Sequence, residues 1–369
     1  MTELTKNKPI IIVGGGLAGL YTALQLEQLA IPYRLFEAKD KLGGRIYSEP
    51  PSDASLCHDL GPTWIFPHHH LMQTLVAQLG ERLFQQYIAG AMIYQTNINT
   101  KPQIIEQGQG PLLHRVEGGL YQLILSLQAK LSPSNYQLNC QVDSLKKRGD
   151  NWQVVVKNNK DASIAVHETE HLILALPPRM IHQYLTPQNW ASEALNTVLA
   201  SVPTWMASQA KFVATYHKPF WREQGLAGQA FSRCGPMIEI HDASAKEQQG
   251  FALFGFIGLS SQAIKDLSVE QVKALCIKQL SLLFGKQAEN YHCCYLKSWG
   301  NDTYVATAND IIEPPAHPFF DIKSFLPELS SLKLYLAGSE FAQEDAGYLE
   351  GALQAADSAI RLLKKNVMT

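Results

Sequence analysis

The chain has 369 residues, of which 46% are hydrophobic and 17% charged, with a formal charge of −2. That balance describes a globular protein with a large core and gives no reason to expect nucleic acid or an anionic membrane surface as a partner. The longest apolar run, Phe251 to Leu259, falls far short of the ~20 residues that span a bilayer, and the length favours two interleaved domains.

The polar start MTELTKNKP leads straight into a strand and has no signal-peptide pattern, so a cytoplasmic setting is expected. The six cysteines are scattered without a CxxC pair, which reads as free thiols in a reducing compartment. Residues 9–38 then form a βαβ unit. Ile10 to Val13 is a continuous apolar run, as for a central parallel strand. The turn Gly14, Gly16, Leu17, Ala18, Gly19 is a GxGxxG with a tight bend at Gly14. Gly16 lets backbone approach a pyrophosphate, and Gly19 lets the helix pack close to the sheet. The helix N-terminus offers free N–H groups to phosphate. A second strand, Tyr33 to Phe36, ends at Glu37 and Ala38, and the acid is placed to accept from ribose hydroxyls. A further glycine pair, Gly43 and Gly44, precedes Arg45. A nicotinamide enzyme needs no such element, whereas an enzyme that buries FAD along its length uses two more bare backbone positions and a cation there. The alternative for Arg45 is a surface salt bridge.

At this point the sequence resembles the flavin-containing amine oxidases, the monoamine and polyamine oxidase family. The resemblance rests on IIIVGGGLAGL, FEAKDKLGGRI, DLGPTWIFP, RVEGGLYQLILSL, LILALPP, QAKFVATYHKPFWR, KSWGNDTYVATA and YLAGSEF followed by AGYLEGALQAADSAI, in the family's order. It covers most of the chain and implies an α/β fold. A Rossmann-like FAD-binding domain (1–77, 112–205 and 295–369) would be interleaved with a smaller substrate domain built on a mixed sheet (78–111 and 206–294). The first piece of that second domain is much shorter than the helical insertion usual in the family. The site is therefore expected to be shallow or completed by a partner protein or second copy.

The resemblance also implies site residues. Gly61, Pro62, Thr63 and Trp64 would pass near the flavin ring, with core packing equally open for Trp64. Val142 would lie on the strand that meets adenine. Lys211 stands alone among apolar neighbours in AKFVA, where a lysine is costly unless paired or functional. By resemblance its ammonium holds a water against flavin N5; the alternative is a strand-edge lysine reaching solvent. Gly338, Ser339 and Glu340 would close over the ribityl and pyrophosphate. The helix beginning near Gly347, Tyr348 and Leu349 would aim its N-terminus at the flavin. Tyr348 matches one of the family's two substrate-flanking aromatics. Aligning on Trp299 puts Asn309 where the second stands and Ala308 where some members attach flavin through cysteine, so FAD is expected to be non-covalent. Trp299 would meet the cofactor or line the substrate pocket, and Tyr304, with Trp64 and Asn309, would line that pocket; core packing is the alternative for Trp299 and Tyr304.

Elsewhere, His68, His69 and His70 are consecutive and cannot share a helical face, so they read as a helix start and no metal is expected. Arg115 and Arg233 are read as surface residues, with carboxylate binding as the alternative. The implied activity is oxidation of the C–N bond of an amine: hydride transfer to flavin N5, imine hydrolysis, and reduction of dioxygen to hydrogen peroxide, with Lys211 and Tyr348 as the catalytic pair. The alternatives are a desaturase or dehydrogenase of a porphyrinogen- or polyene-like skeleton, and a non-catalytic FAD-bound partner or maturation protein.

Overall fold

A computed structural model describes residues 8–49, 57–106, 112–245, 249–313 and 316–367. Its organising element is a five-stranded sheet with spatial order Leu334–Leu336, Leu172–Leu174, Ile10–Val13, Tyr33–Phe36, Tyr136–Gln137, every neighbouring pair parallel. These strands are short apolar runs, and the central one is buried along its whole length. Buried parallel strands must be covered on both faces. Ile10 and Ile12 point into a core shared with the helices Leu17–Gln28, Leu120–Ala129 and Leu349–Val367. Ile11 and Val13, one residue out of phase, point into a second core. That core is built with the antiparallel sheet Cys140–Arg148, Asn151–Asn158, Ile164–Thr169. Thus strands from the beginning, middle and end of the chain share one sheet.

The second large sheet has seven strands, in the order Cys294–Ser298, Ala210–Tyr216, Phe251–Ile257, Met237–Asp242, Leu226–Ser232, Ala91–Gln95, Gln103–Ile105. It is antiparallel except where Leu226–Ser232 meets Ala91–Gln95. Period-two alternation again decides the faces. Ala210, Phe212, Ala214 and Tyr216 pack against the amphipathic helix Val269–Phe284, which opens on a Ser268/Gln271 capping box. Lys211 and Val213 face the other way, Val213 packing with Leu60 and Phe254. The domain boundary expected at 294/295 cuts through a strand. Cys294–Ser298 pairs along its whole length with Ala210–Tyr216, so the second sheet runs on to Ser298. Likewise Leu83–Gln85 pairs with His114–Val116, across the expected boundary at 111/112; residues 107–111 lie outside the described residues. Among the described residues no helix is long and apolar enough to cross a membrane, and no disulfide is present.

The first turn of the Leu17–Gln28 helix lies against the strand that precedes it. A Cβ on Gly19 would overlap the Gly14 carbonyl oxygen. Backbone cannot yield there as a flexible side chain can. Gly19→Ala is therefore expected to cost about 1–3 kcal/mol despite alanine's better helix propensity. The measurement is the thermal midpoint together with flavin absorbance per chain; a variant that keeps both at wild-type level would show that the contact is relaxed in solution.

Candidate active site

Between the two large sheets lies a cavity of about 670 Å³. At one end it is walled by Gly14, Gly16, Leu17 and Ala18. Gly16 precedes the helix Leu17–Gln28 and provides no side-chain cap. The first-turn N–H groups are thus left for a ligand, which is what a pyrophosphate requires. Glu37, buried at the end of its strand, accepts from the Gly15 N–H at 2.6 Å and the Lys39 N–H at 2.9 Å. Burial pushes its carboxyl upward while these donors and the Lys39 charge pull it down. Ala38 and Val142 line the same end.

Tyr304 also lies here, and this corrects its assignment to the substrate pocket. Its hydroxyl stands 3.2 Å from Gln141 Oε1 and takes a 2.9 Å hydrogen bond from Asn159 Nδ2, beside Glu37 and Val142 in the wall. Asn309 is also misassigned. With Ala308 it lines a separate pocket beside Arg179 and His182. The reason is local: Thr307 and Asp310 form a capping box that winds Ala308–Ile312 into a helix. Alignment by distance from Trp299 could not register that turn.

In the middle of the cavity the wall is Gly43, Gly44, Arg45, Gly338, Ser339 and Gly347. Gly43 and Gly44 have φ of 120° and 60°, values that side chains rarely tolerate. Arg45 forms a two-pronged bond to Glu340, 2.6 Å to Oε1 and 3.1 Å to Oε2, and donates to Ser339 Oγ at 2.8 Å and the Trp205 carbonyl at 3.1 Å. Glu340 is fully buried and is absent from the cavity wall. It was expected to touch the cofactor, but it stands behind Arg45 as its counter-ion. Gly19 likewise lies behind the wall, against Gly14.

The far end is formed by Gly61, Pro62, Thr63, Trp64, Lys211, Phe256, Trp205, His317, Tyr348 and Leu349. Lys211 is 2% exposed. Its strand is hydrogen-bonded on both sides, which removes the strand-edge alternative. Its Nζ donates to the Gly61 carbonyl at 3.1 Å and to Thr63 Oγ1, and it lies 4.1 Å from the centre of the Phe254 ring. Burial, opposed by Asp59 and reinforced by Arg115, lowers its pKa to about 7. Trp299 is buried, donates from Nε1 to the Leu60 carbonyl at 3.0 Å and lines the cavity.

Tyr348 opens onto the same cavity as Lys211. Its ring faces His317 and Trp205, each with its centroid 5.6 Å away, and those two stack on each other at 3.9 Å. Trp205 and His317, which alignment did not offer, thus pack directly against the Tyr348 ring and line the cavity beside it. A tryptophan five residues before the strand Ala210–Tyr216 was the available signal.

Glu350, two residues on, accepts from the N–H groups of Leu71 and Met72 at 2.9 Å. It caps the helix His70–Gln78 from the far end of the chain. That helix begins at the histidine cluster, and His68, His69 and Asp345 bring ring nitrogens and a carboxylate oxygen within 4.8 Å of one another. Sequence spacing treated the histidines as purely local because the third group is remote. Arg115 also departs from its reading. It is 3% exposed, its guanidinium donates to the carbonyls of Ser244 and Ala243, and it stays off the cavity. Arg233 is exposed.

Bare glycine backbone, an uncapped helix start, an acid at the second strand and an arginine midway fit FAD laid along the cavity. The fold and site define a flavin-dependent oxidoreductase. The chain matches the family described as flavin containing amine oxidoreductase over residues 17–103 and 100–361, and it belongs to that family. It is 22% identical to the probable flavin-containing monoamine oxidase A of Dictyostelium discoideum, over 97% of this chain and 98% of that one. It is 26% identical to amine oxidase [flavin-containing] B of Sus scrofa over 70% of this chain, a match spanning 48% of the pig protein. Among solved structures, putrescine oxidase bound to putrescine superposes with a TM-score of 0.77 at 18% identity, covering 97% and 99% of the two chains. Cyclohexylamine oxidase from Brevibacterium oxydans IH-35A gives 0.81 at 17%, covering 98% and 100%. At such identities the likeness is one of fold. FAD is the cofactor, bound non-covalently. The cavity is lined by one cysteine among the described residues, Cys140, beside Gln141 and Val142 at the end away from Lys211.

Lys211 makes a prediction that needs no substrate. Above pH 7 the folded amine is neutral, whereas an unfolded lysine stays protonated to about 10.4. The unfolded chain then binds more protons, so stability rises with pH across that window, by up to about 1.4 kcal/mol per pH unit for one group. Lys211→Met is expected to remove this component of the slope. Denaturant midpoints from pH 7 to 10 measure it, and equal slopes in both proteins would refute the buried neutral amine.

Proposed function

We propose that this protein oxidises the C–N bond of a small amine and passes the electrons to dioxygen, releasing hydrogen peroxide. The observation that carries the reading is that Lys211 and Tyr348, remote in sequence, open onto one cavity at the end opposite the GxGxxG turn. The named substrates of its relatives, putrescine and cyclohexylamine, are amines. When bound, FAD supplies the two-electron acceptor; the chain supplies orientation, dryness and charge.

Tyr348, its ring backed by Trp205 and His317, would orient the amine's reacting carbon. Burial and the nearby Asp345 push the Tyr348 phenol above its ordinary value of 10, so it stays neutral and presents an apolar face. Trp64, Phe256 and Trp299 exclude water from the reacting centre, which strengthens every electrostatic interaction there. Lys211 is held by Gly61 and Thr63. It would orient a water molecule and, with a pKa near 7, exchange protons at neutral pH at little cost. Its ammonium form would also favour the build-up of negative charge on dioxygen.

The test is peroxide release from a panel of primary and secondary amines by the purified yellow protein. Lys211→Met is expected to slow reoxidation of the reduced protein by dioxygen on the order of 100-fold. Tyr348→Ala is expected to lower kcat/KM for amines roughly tenfold. Stopped-flow absorbance separates the two half-reactions. Reduction by amines with reoxidation only by an artificial acceptor would identify a dehydrogenase instead, and a protein that no amine reduces would refute the reading.

A further inference from the structure

We propose that His68, His69 and Asp345 form a binding site for one divalent transition ion of the Zn²⁺ type, and that the bound ion clamps the turn that carries Tyr348. Two imidazoles and a carboxylate suit zinc, nickel or copper better than magnesium or calcium. Their ligand atoms already lie within 4.8 Å of one another. His68 Nε2 stands 3.3 Å and His69 Nε2 4.0 Å from Asp345 Oδ1. Zinc bonds of about 2.0–2.2 Å set tetrahedral ligands roughly 3.4 Å apart, so the widest pair needs to close by no more than about 1.5 Å.

Consecutive histidines converge here because they precede the helix rather than lie on it. The His69 N–H donates to the Phe66 carbonyl at 3.0 Å and closes a turn, and His69 is the residue before the helix His70–Gln78. The two rings stand nearly perpendicular, 82° apart with centroids at 4.6 Å, and both bring Nε2 toward the same carboxylate oxygen. That carboxylate is itself set in place. Asp345 has a left-handed backbone with φ of 50°, and its Oδ2 accepts from Gln354 Nε2 at 3.4 Å, which leaves Oδ1 for the histidines.

His69 carries the independent sign of a missing ligand. Its side chain is 1% exposed, and among the described residues its Nε2 has no hydrogen-bond partner. A buried polar atom left unpaired is costly, and a metal ion would satisfy it. Burial, opposed by Asp345 and reinforced by His68, lowers the His69 pKa to about 4, so the ring is neutral at pH 7, as a ligand must be. On its other edge the Phe66 N–H approaches Nδ1 at 3.4 Å, a long contact. Coordination through Nε2 moves the ring proton to Nδ1 and gives up only that weak bond. His68 closes the site from the solvent side. Its side chain is 61% exposed, so the ring is free to swing inward and water can fill the remaining coordination position. None of the three ligands lines the cavity, but Phe66 and Tyr348 do. The Tyr348 N–H donates to the Asp345 carbonyl at 2.9 Å. An ion that ties Asp345 to the segment carrying Phe66 therefore fixes the turn that presents Tyr348.

The experiment titrates the FAD-loaded protein, first stripped with a chelator, with Zn²⁺ in a calorimeter, and with Mg²⁺ as the hard-ion control. One Zn²⁺ per chain is expected to bind, and Mg²⁺ is not. Asp345→Asn keeps the side-chain shape and tolerates the left-handed backbone; it is expected to weaken Zn²⁺ binding at least about tenfold, as is His68→Gln on the exposed side. Flavin content and thermal midpoint check that each variant is folded. Zn²⁺ is expected to slow hydrogen exchange in the peptide spanning residues 345–350 severalfold in the wild type and to leave it unchanged in Asp345→Asn. No saturable Zn²⁺ binding would overturn the site. So would binding that Asp345→Asn leaves unchanged, which marks an adventitious ion only, held by three consecutive histidines. Binding without slowed exchange would overturn the clamp. These outcomes are independent of whether any amine reduces the flavin.

Discussion

The ion pair between Arg45 and Glu340 holds the two ends of the chain to one site. Its two prongs join residues far apart in sequence, and the carboxylate is wholly buried. A buried charge without a partner is far costlier than an exposed one, so Glu340 depends on Arg45, whose own side chain is about a quarter exposed. The pair also reaches a third segment. Trp205 gives its carbonyl to Arg45 and its N–H to Glu340. The ring that faces Tyr348 is therefore anchored, through its own backbone, to the pair that walls the middle of the cavity. Disturbing the pair would reach the nucleotide cradle and the substrate wall together.

The second sheet has a different task. One of its faces is an ordinary apolar core against the helix Val269–Phe284. The other presents Lys211, Phe256 and Glu239 in a row across three strands. A row set by sheet register is more rigid than one assembled from loops. The segment after residue 78 supplies the far edge of this sheet, where Ala91–Gln95 and Gln103–Ile105 form the last two strands.

Much of this was legible in the sequence where chemistry and backbone are local to each other. The strand Ile10–Val13, its glycine turn and the acid at Glu37 declare themselves because a tight turn and a helix start need those residues in that order. Lys211 declared itself as a charge in an otherwise apolar strand. What was not legible depended on partners brought in by topology. Glu340 looked like a ligand group because its counter-ion lies at the other end of the chain. Asn309 was misplaced because a capping box winds the chain into a short helix that a residue count cannot see. Trp205, His317 and Glu239 belong to no shared motif, and only sheet register and packing bring them to the wall. Arg115 was read as exposed because nothing local revealed the carbonyls of Ala243 and Ser244 that receive it.

The cap that Glu350 places on the helix His70–Gln78 has a consequence for biosynthesis. The carboxylate that satisfies its first turn is translated 279 residues after Leu71. The same lag applies to the edge strand Leu334–Leu336 and to the helix Leu349–Val367, which packs on Leu17–Gln28. A nascent chain can form its first βαβ unit at once, but it cannot close a vessel for a flavin until these later segments have emerged. Chains interrupted before them would leave the ribosome colourless.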